Sequence, residues 1–372
     1  MSKLTKYKFS DLYEMSSGIT SSKAQAGHGF PFISFSTVFN NYFLPEELPD
    51  LMDTSPKEQE IFSVKKDDVF ITRTSETVDA LAMSCVAVKD YPKATFSGFV
   101  KRLRPKTTGI VYSKYIAFFL RSKYFRKVLD CNTIMTLRAS FNEDMFSFLY
   151  LYLPDYEEQV KIGNLLYNME MKIRTNNRIN DNLSKMAYDI YMHNFLSQKP
   201  NGRIKDILLE ADKSPIQVGT AKTSNGKYPF FTSGATILKW DKPFVNGRNC
   251  YLNTGGNADV KFYVGEAAYS TDTWCISAKS KMSDYLYLML LSLKPELDQK
   301  FFQGTGLKHL QKPLLKDRPI YIPEKSELEV FNGNVRPMFD SISENIRENQ
   351  QLISLRDWLL PMLMNGQATI SD

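Results

Sequence analysis

One stretch of sequence decides the fold, and it occurs twice: residues 169–183 read MEMKIRTNNRINDNL and residues 338–352 read MFDSISENIRENQQL. Aligning the chain with itself at an offset of 169 residues brings identical residues into register repeatedly within thirty-two positions, without a gap. Seven of these pairs are Tyr152/Tyr321, Pro154/Pro323, Met169/Met338, Ile173/Ile342, Asn176/Asn345, Asn180/Asn349 and Leu183/Leu352. Self-similarity at a fixed period indicates a tandem duplication.

Each copy predicts a long helix with a heptad seam, because apolar or Asn residues recur at alternating spacings of three and four. The first seam is Leu166, Met169, Ile173, Asn176, Asn180, Leu183, Ala187 and Ile190. The second seam is Val335, Met338, Ile342, Asn345, Asn349, Leu352, Arg356 and Leu359. Asp155 or a neighbouring residue is expected to cap the first helix. We expect Pro337 to break the second helix near its start, since proline lacks a backbone N–H.

The repeat offset predicts how two such helices pair. Facing residues of an antiparallel pair have numbers with a constant sum, which places Asn176 opposite Asn349 and Asn180 opposite Asn345. The same rule gives Ile173/Leu352, Leu183/Ile342, Met169/Arg356 and Ala187/Met338, with the Arg356 head reaching water. The alternative is that each helix packs on its own domain with its asparagines in solvent. Adding one turn to both helices should part the flanking domains by about 5.4 Å.

The remaining sequence predicts two mixed domains. Short β-like runs at 30–35, 69–72, 85–88 and 99–103 precede a helix predicted around 113–129. The starts of the two halves resemble each other more loosely, at offsets of 195 and 198. The predicted fold class is therefore α/β (α+β): two similar domains and two long helices in an antiparallel coiled coil with pseudo-two-fold symmetry. The predicted boundaries are 1–153, 154–197, 198–322 and 323–372.

The charge distribution suggests a nucleic-acid surface more strongly than the net charge of +6 does. Between residues 101 and 127 there are nine basic residues and no acidic one. They are Lys101, Arg102, Arg104, Lys106, Lys114, Arg121, Lys123, Arg126 and Lys127. Such a run attracts phosphates, and we expect Lys101, Arg102 and Arg104 to contact DNA. A solvated helix face is the alternative interpretation.

Polar loops supply further candidate DNA contacts, because hydroxyl, amide and basic groups hydrogen-bond base edges and phosphates. In the first half, a predicted strand opens onto Arg73, Thr74 and Ser75. In the second half the candidates are Thr254, Asn257, Thr271, Thr273 and Lys308. Surface loops without a ligand explain the same residues equally well.

Signs of catalysis are missing from the sequence. We find no Walker loop, no metalloprotease or hydrolase motif, and no methyltransferase tetrapeptide. Four dispersed cysteines and three histidines make a zinc site or a disulfide framework improbable. The chain shows no signal peptide and no apolar stretch long enough to span a membrane, so a cytoplasmic, non-membrane protein without metal or catalytic residues is expected.

Four motifs carry a resemblance to a known family. Residues 153–159 (LPDYEEQ) resemble its L-P-x-x-E-E-Q helix entry, and residues 176–183 (NNRINDNL) its Asn-rich midsection. Residues 356–366 (RDWLLPMLMNG) resemble its R-D-x-L-L-P-x-L-x-x-G end. Residues 67–77 are similar to its G-D-v-l-x-x-R strand, with Asp67 where Gly is usual. With these motifs the chain resembles the DNA-specificity subunits of Type I restriction–modification systems over essentially its whole length. The second copy departs at residues 323–327 (PEKSE), which lack the E-E-Q.

This resemblance implies a non-catalytic subunit whose two target-recognition domains each read half of a bipartite, asymmetric site in double-stranded DNA. It implies that the coiled coil sets the unread spacer. It further implies two modification subunits, which bind S-adenosylmethionine and methylate adenine, and two restriction subunits, which use ATP and Mg. No cofactor is expected in this chain. A two-domain scaffold that binds no nucleic acid is the alternative, and a self-sufficient DNA-modifying enzyme is a third.

Overall fold

The computed structural model describes residues 3–20, 22–75, 77, 80–132, 139–304, 306 and 308–370. The chain divides into two compact units. The first unit comprises Met1–Lys172 and Leu352–Asp372, and the second unit comprises Ile173–Gln351. Both units combine helices with antiparallel sheet, as the predicted fold class requires.

Each unit is built on a four-stranded antiparallel sheet of the same topology. In the first unit the strands are β1 (Tyr13–Ser17), β2 (Val69–Thr72), β3 (Ser84–Val86) and β4 (Val100–Pro105), in the order β1-β4-β2-β3. In the second unit they are β5 (Leu208–Glu210), β6 (Arg248–Asn253), β7 (Val260–Val264) and β8 (Thr273–Ala278), in the order β5-β8-β6-β7. The strand order is thus repeated, although the connecting loops differ in length.

The smaller sheets repeat as well. A central strand pairs antiparallel with one neighbour and parallel with the other, as Asp50–Met52, Ala26–Ile33 and Thr95–Phe96 in the first unit and Leu238–Trp240, Tyr228–Phe231 and Ala268–Tyr269 in the second. Two-stranded pairs are Thr5–Lys8 with Tyr150–Leu153, Thr74–Ser75 with Ala139–Ser140, Gly202–Arg203 with Pro319–Ile320, and Phe302–Gln303 with His309–Leu310.

Short helices cover these sheets. In the first unit they are Phe9–Leu12, Lys23–Gln25, Phe35–Asn40, Pro56–Ile61, Ser113–Phe119, Lys123–Asn132 and Glu143–Phe148. In the second unit they are Ile204–Ile207, Val218–Ala221, Lys279–Lys281, Ser283–Ser292, Lys294–Glu296, Leu297–Phe301 and Lys312–Lys316. The single helix predicted around 113–129 is therefore wrong. It is two helices, because the chain turns at Ser122, whose hydroxyl accepts from the Phe125 N–H.

A large hydrophobic core of each unit lies between the four-stranded sheet and a helix that comes after its last strand. In the first unit this helix is Ser113–Phe119, whose side chains from Tyr115 to Phe119 are buried against β2 and β4 residues such as Val69 and Leu103. In the second unit Ser283–Ser292 buries Leu286 and Leu290 against β6 and β8. Burial of aromatic and aliphatic side chains is the main stabilising contribution here.

The two predicted long helices are present, as Tyr156–Phe195 and Lys325–Met364. The Asp155 carboxylate caps the first, accepting from the Glu158 N–H at 2.9 Å. The predicted break at Pro337 is wrong, because the second helix runs through it without interruption. Proline removes one hydrogen bond and crowds the carbonyl four residues earlier, but the packing of Val335 and Phe339 in the core of the second unit holds the helix on either side.

Candidate nucleic-acid interface

A tight turn precedes β4 in the first unit. The Val100 N–H donates to the Ser97 carbonyl at 2.9 Å, which closes the turn. The Gly98 N–H donates to the Ile19 carbonyl at 2.7 Å and anchors the turn to a neighbouring segment. The Phe99 carbonyl accepts from the Arg73 N–H at 2.9 Å, just beyond the end of β2. We call residues 97–100 the first turn.

An equivalent turn precedes β8 in the second unit, and we call residues 270–273 the second turn. The Thr273 N–H donates to the Ser270 carbonyl at 3.0 Å. The Thr271 N–H donates to the Ile216 carbonyl at 2.8 Å. The Asp272 carbonyl accepts from the Thr254 N–H at 3.1 Å, just beyond the end of β6. The same three backbone bonds therefore define both turns.

Strand register confirms that these positions correspond. Thr72 pairs with Val100 in the first unit, and Asn253 pairs with Thr273 in the second. Arg73 thus corresponds to Thr254, and Phe99 to Asp272. Both units present these two positions side by side at the end of the sheet, but with different side-chain chemistry.

The predicted residues after β2 lie on the surface or close to it. Arg73 is exposed, and its Nη1 lies 3.5 Å from the Gly98 carbonyl. Thr74 and Ser75 are half-buried in the short strand that pairs with Ala139–Ser140. The neighbouring Glu76, which belongs to the same predicted loop, lies outside the described residues.

A cleft of about 560 Å³ in the second unit brings three of the predicted residues together. Thr254, Thr271 and Thr273 line it, together with Asp272 and two lysines, Lys213 and Lys312. Thr273 is buried, however, and its hydroxyl lies 2.9 Å from that of Ser270. It supports the turn, so its predicted role in base contact needs correction.

Asn257 and Lys308 do not line this cleft. Asn257 is exposed in the loop that follows β6, and its carbonyl accepts from the Asn253 side chain at 3.1 Å. Lys308 is exposed. Its backbone lies beside the same loop, where its carbonyl accepts from the Gly256 N–H at 3.0 Å. Its ammonium lies 3.5 Å from the Asp298 carboxylate.

Lys101 and Arg102 require the clearest correction, because both are buried, with 7% and 8% of their surface exposed. The Lys101 ammonium donates to the Ser17 hydroxyl at 2.8 Å. The Arg102 guanidinium donates to the Ser63 carbonyl at 2.6 Å and lies over the Phe96 ring. Burial, with the neighbouring positive charge of Arg104, lowers the pKa of Arg102. These two side chains hold segments of the first unit together.

Arg104 is also structural. Its Nε and Nη2 donate to the two carboxylate oxygens of Asp68 at 2.7 and 2.6 Å. The Asp68 side chain is fully buried. The hydrogen bonds from Arg104 to Asp68 raise the pKa of the guanidinium. A bidentate pair of this kind is strong and directional, so Arg104 is committed to the fold.

The two remaining arginines of the basic run are likewise tied to the fold, whereas three of its lysines are not buried. Arg121 donates to the carbonyls of Val38, Phe39, Asn41 and Ser84, and Arg126 to those of Leu81, Ala82 and Leu120. Lys106, Lys123 and Lys127 are exposed. The run therefore does not form the single basic face that its sequence predicted.

Sequence reasoning missed a cluster around Trp274 in the second unit. The indole Nε1–H donates to Glu210 at 2.9 Å, while Lys312 and Lys316 lie over the ring with their Nζ atoms 4.8 and 5.7 Å from its centroid. Lys316 also pairs with Glu210. Burial lowers the pKa of Lys312. These residues come from three separate elements, and no motif linked them.

The asparagine pairs lie as the sequence predicted. Asn176 Nδ2 donates to Asn349 Oδ1 at 2.9 Å, and Asn345 Nδ2 donates to Asn180 Oδ1 at 2.8 Å. The residue numbers run in opposite directions, so the two helices are antiparallel at these positions. Leu183, Ala187, Met338 and Ile342 all belong to the adjoining core of the second unit.

Arg356 departs from its predicted environment. Its Nη1 donates to Glu170 at 3.1 Å, and its guanidinium lies over the Tyr42 ring of the same unit, 5.2 Å from the centroid. Only 14% of its side chain is exposed. The prediction that its head extends to water is wrong, because an acidic and an aromatic partner hold it.

Among the described residues, no group of three His, Cys, Asp or Glu side chains is placed to hold a metal ion. No helix in that part of the chain combines the length and apolar character needed to cross a membrane.

Comparison with known proteins identifies the family. The family model described as "Type I restriction modification DNA specificity domain" matches residues 1–185 and again residues 199–336. The "Type I restriction enzyme MjaIX specificity subunit" of Methanocaldococcus jannaschii is 21% identical over 98% of this chain and 93% of its own. The crystal structure of the Type I restriction–modification S subunit from M. genitalium shares the fold, with a TM-score of 0.65 at 12% identity over 97% of this chain and 96% of its own. Because the family model covers most of the sequence in two successive matches, the chain belongs to the family of Type I restriction–modification DNA-specificity proteins.

Proposed function

We propose that each unit reads one half of a bipartite, asymmetric site in double-stranded DNA, and that the paired helices set the spacer between the halves. The observation that carries this proposal is the repeated turn. Each unit presents two adjacent positions at the end of its own four-stranded sheet. These are Arg73 with Phe99 in the first unit and Thr254 with Asp272 in the second. An equivalent backbone that carries different side chains is suited to the recognition of two different half-sites.

The chain is proposed to act within a complex. Two modification subunits would bind S-adenosylmethionine and methylate adenine, and two restriction subunits would supply ATP- and Mg-dependent translocation and cleavage. This chain would contribute recognition and docking, with no cofactor of its own. The purified chain should therefore bind no S-adenosylmethionine and neither methylate nor cut DNA. Stoichiometric binding of this cofactor in a calorimetric titration would contradict the division of labour.

Exchange of one recognition segment tests the proposal. Residues 1–153 should be replaced by the corresponding segment of a relative, since this boundary keeps the Thr5–Lys8 and Tyr150–Leu153 pair together. Sequencing of methylated DNA from cells carrying the complex should show a change in one half of the motif only. The matched exchange of residues 198–322 should change the other half. A change in both halves from either exchange would refute independent reading.

A further inference from the structure

We propose that Phe99 and Asp272 are specificity-determining residues: Phe99 contacts the methyl group of a thymine, and Asp272 accepts a hydrogen bond from N4 of a cytosine. This inference rests on the proposed function and names one base that each unit recognises. It starts from the equivalence of the two turns, which place these side chains at the same position in their units.

Phe99 is held outside the core by its backbone. Its side chain is among the most exposed large apolar groups, at 65%. Its N–H donates to the Ser97 hydroxyl at 3.2 Å, and its carbonyl accepts from Arg73. A Cβ added at Gly98 would lie 3.0 Å from the Ile19 carbonyl oxygen, so the turn is pressed closely against that segment. The ring therefore cannot fold inward without breaking the turn.

The neighbour of Phe99 indicates what the ring meets. Arg73 is exposed beside it and offers a guanidinium suited to phosphate or guanine. A base edge next to such a contact presents one apolar group in the major groove, the C5 methyl of thymine. Phenylalanine has no hydrogen-bonding group, and thymine is the base whose major-groove edge carries a methyl group for the ring to contact. Thymine is the base whose methyl gains most from this contact.

Asp272 has the complementary chemistry. It is exposed, and its carboxylate makes no hydrogen bond or ion pair with the described residues. Its backbone carbonyl is fully engaged, accepting from the Thr254 N–H, the Thr254 hydroxyl and the Ser233 hydroxyl. The Asp272 carboxylate therefore projects from a backbone segment that these hydrogen bonds hold in place. Lys213 and Lys312 line the same cleft and reduce the repulsion between a carboxylate and DNA phosphates.

Hydrogen-bond patterns favour cytosine for this carboxylate. An ionised carboxylate only accepts hydrogen bonds. Cytosine presents an N4 donor with no acceptor on the same base edge, whereas adenine places the N7 acceptor beside its N6 donor. Guanine and thymine present acceptors in the major groove. Cytosine is thus the base that Asp272 can bind without facing an acceptor.

The thymine contact can be tested by removing a single methyl group. The full chain, assembled with its modification subunits, would bind duplexes in which each target thymine is replaced in turn by deoxyuridine. We expect one position in the half-site of the first unit to lose affinity about four-fold, the effect of one buried methyl group. The Phe99→Ala complex should bind the two duplexes equally. Phe148→Ala, an exposed phenylalanine elsewhere in the first unit, is the matched control and should keep the difference.

The cytosine contact is tested in the methylated motif. Asp272→Asn adds a donor that matches adenine N7, so one cytosine position in the half-site of the second unit should accept adenine, with discrimination reduced roughly ten-fold. Asp241→Asn, an exposed position on another loop, should leave the motif unchanged. Thermal unfolding of each variant checks that the fold is retained.

The outcomes separate this inference from the proposed function. If exchange of residues 1–153 alters one half of the motif while Phe99→Ala and Asp272→Asn leave every preference intact, the base assignments are wrong and modular reading stands. If that exchange leaves the motif unchanged, the proposed function itself is wrong. A Phe99→Ala chain that fails to assemble with modification subunits would show instead that the ring is a protein contact.

Discussion

Asn176 donates a 2.9 Å side-chain hydrogen bond to Asn349, and both amides are buried within the second unit. Asn176 also donates to Glu348 at 2.7 Å. Replacing Asn176 by Ala leaves the Asn349 acceptor without this partner, and we expect the free energy of unfolding to fall by about 1–3 kcal/mol. Urea unfolding followed by circular dichroism measures the change. Asn182→Ala, on an exposed position of the same helix, should have little effect.

Replacing both Asn176 and Asn349 should lower the free energy of unfolding by less than the sum of the two single substitutions. Leucine at positions 176 and 349 removes donor and acceptor at once, and an apolar pair in a heptad seam can pack. Asn349 also donates to the side-chain amide oxygen of the exposed Asn177, and this oxygen can bind water when Asn349 is replaced. A double variant as unstable as the sum of the singles would show that the two amides do not act as a pair.

Arg104→Ala should destabilise the first unit rather than weaken DNA binding selectively. The change strips the bidentate partner from the fully buried Asp68 carboxylate, and loss of a buried partner costs about 3–5 kcal/mol. Thermal unfolding should show the loss, and Lys127→Ala, on the surface, should not. An Arg104→Ala protein with unchanged melting temperature but a shallower salt dependence of DNA binding would restore the phosphate-contact interpretation.

Two helical glycines should respond to alanine in opposite ways. At Gly333 a new Cβ would meet nothing within 4 Å, so Gly333→Ala should raise stability by about 1 kcal/mol through helix propensity. At Gly163 it would lie 2.7 Å from the Tyr115 backbone nitrogen and 2.9 Å from the Tyr112 ring. Gly163→Ala should therefore lower stability by about 1–3 kcal/mol. Equal effects of both substitutions on the melting temperature would contradict this packing.

The hydrogen bonds of the Trp274 cluster should persist to a pH below the ordinary pKa of a glutamate and be lost in stronger acid. Burial alone would raise the pKa of Glu210, but the hydrogen bonds from Lys316 and Trp274 outweigh it and hold the pKa below the ordinary value of 4.5. The fold thus favours the ionised form. Its contribution to stability is complete above the unfolded pKa and is lost as pH falls through the lower folded pKa.

The Trp274 indole N–H resonance reports this titration, because the indole donates to Glu210. It should shift with a midpoint below 4.5, the ordinary pKa of a glutamate. The signal is assigned through Trp274→Phe, and Glu210→Gln should abolish the shift. A midpoint at or above the ordinary value would mean that burial outweighs the two hydrogen bonds.

The elements most reliably predicted were those whose periodicity is local. The heptad seams predicted both long helices and the Asn176–Asn349 pair, and the run at 69–72 is β2. Burial of charge was not predictable in the same way. Arg102 donates to a carbonyl 39 residues away, and Arg121 to one 83 residues away. Such long-range partners leave no pattern in a single sequence, so the basic run resembled a surface.

Phe99 was missed for a related reason. In the sequence it begins a short β-like run that predicts a strand at 99–103, whereas β4 starts at Val100. Whether that side chain lies in the core or in solvent depends on the turn, and the turn is fixed by Gly98 and a segment 79 residues earlier in the chain, at Ile19. Nothing in the sequence marks Asp272 as its counterpart, because the equivalence of the two positions depends on the pairing of the strands.

The main-chain construction of the two turns has a consequence for how such a protein evolves. Their defining hydrogen bonds join backbone atoms, so a substitution at position 99 or 272 leaves the bonds of its turn in place. Mutation can therefore sample apolar, acidic, basic or amide groups at these positions without lowering the yield of folded protein. Each half can also drift separately, since neither turn depends on the identity of the residue at the other. A lineage under pressure to change what it recognises would find its variation here first.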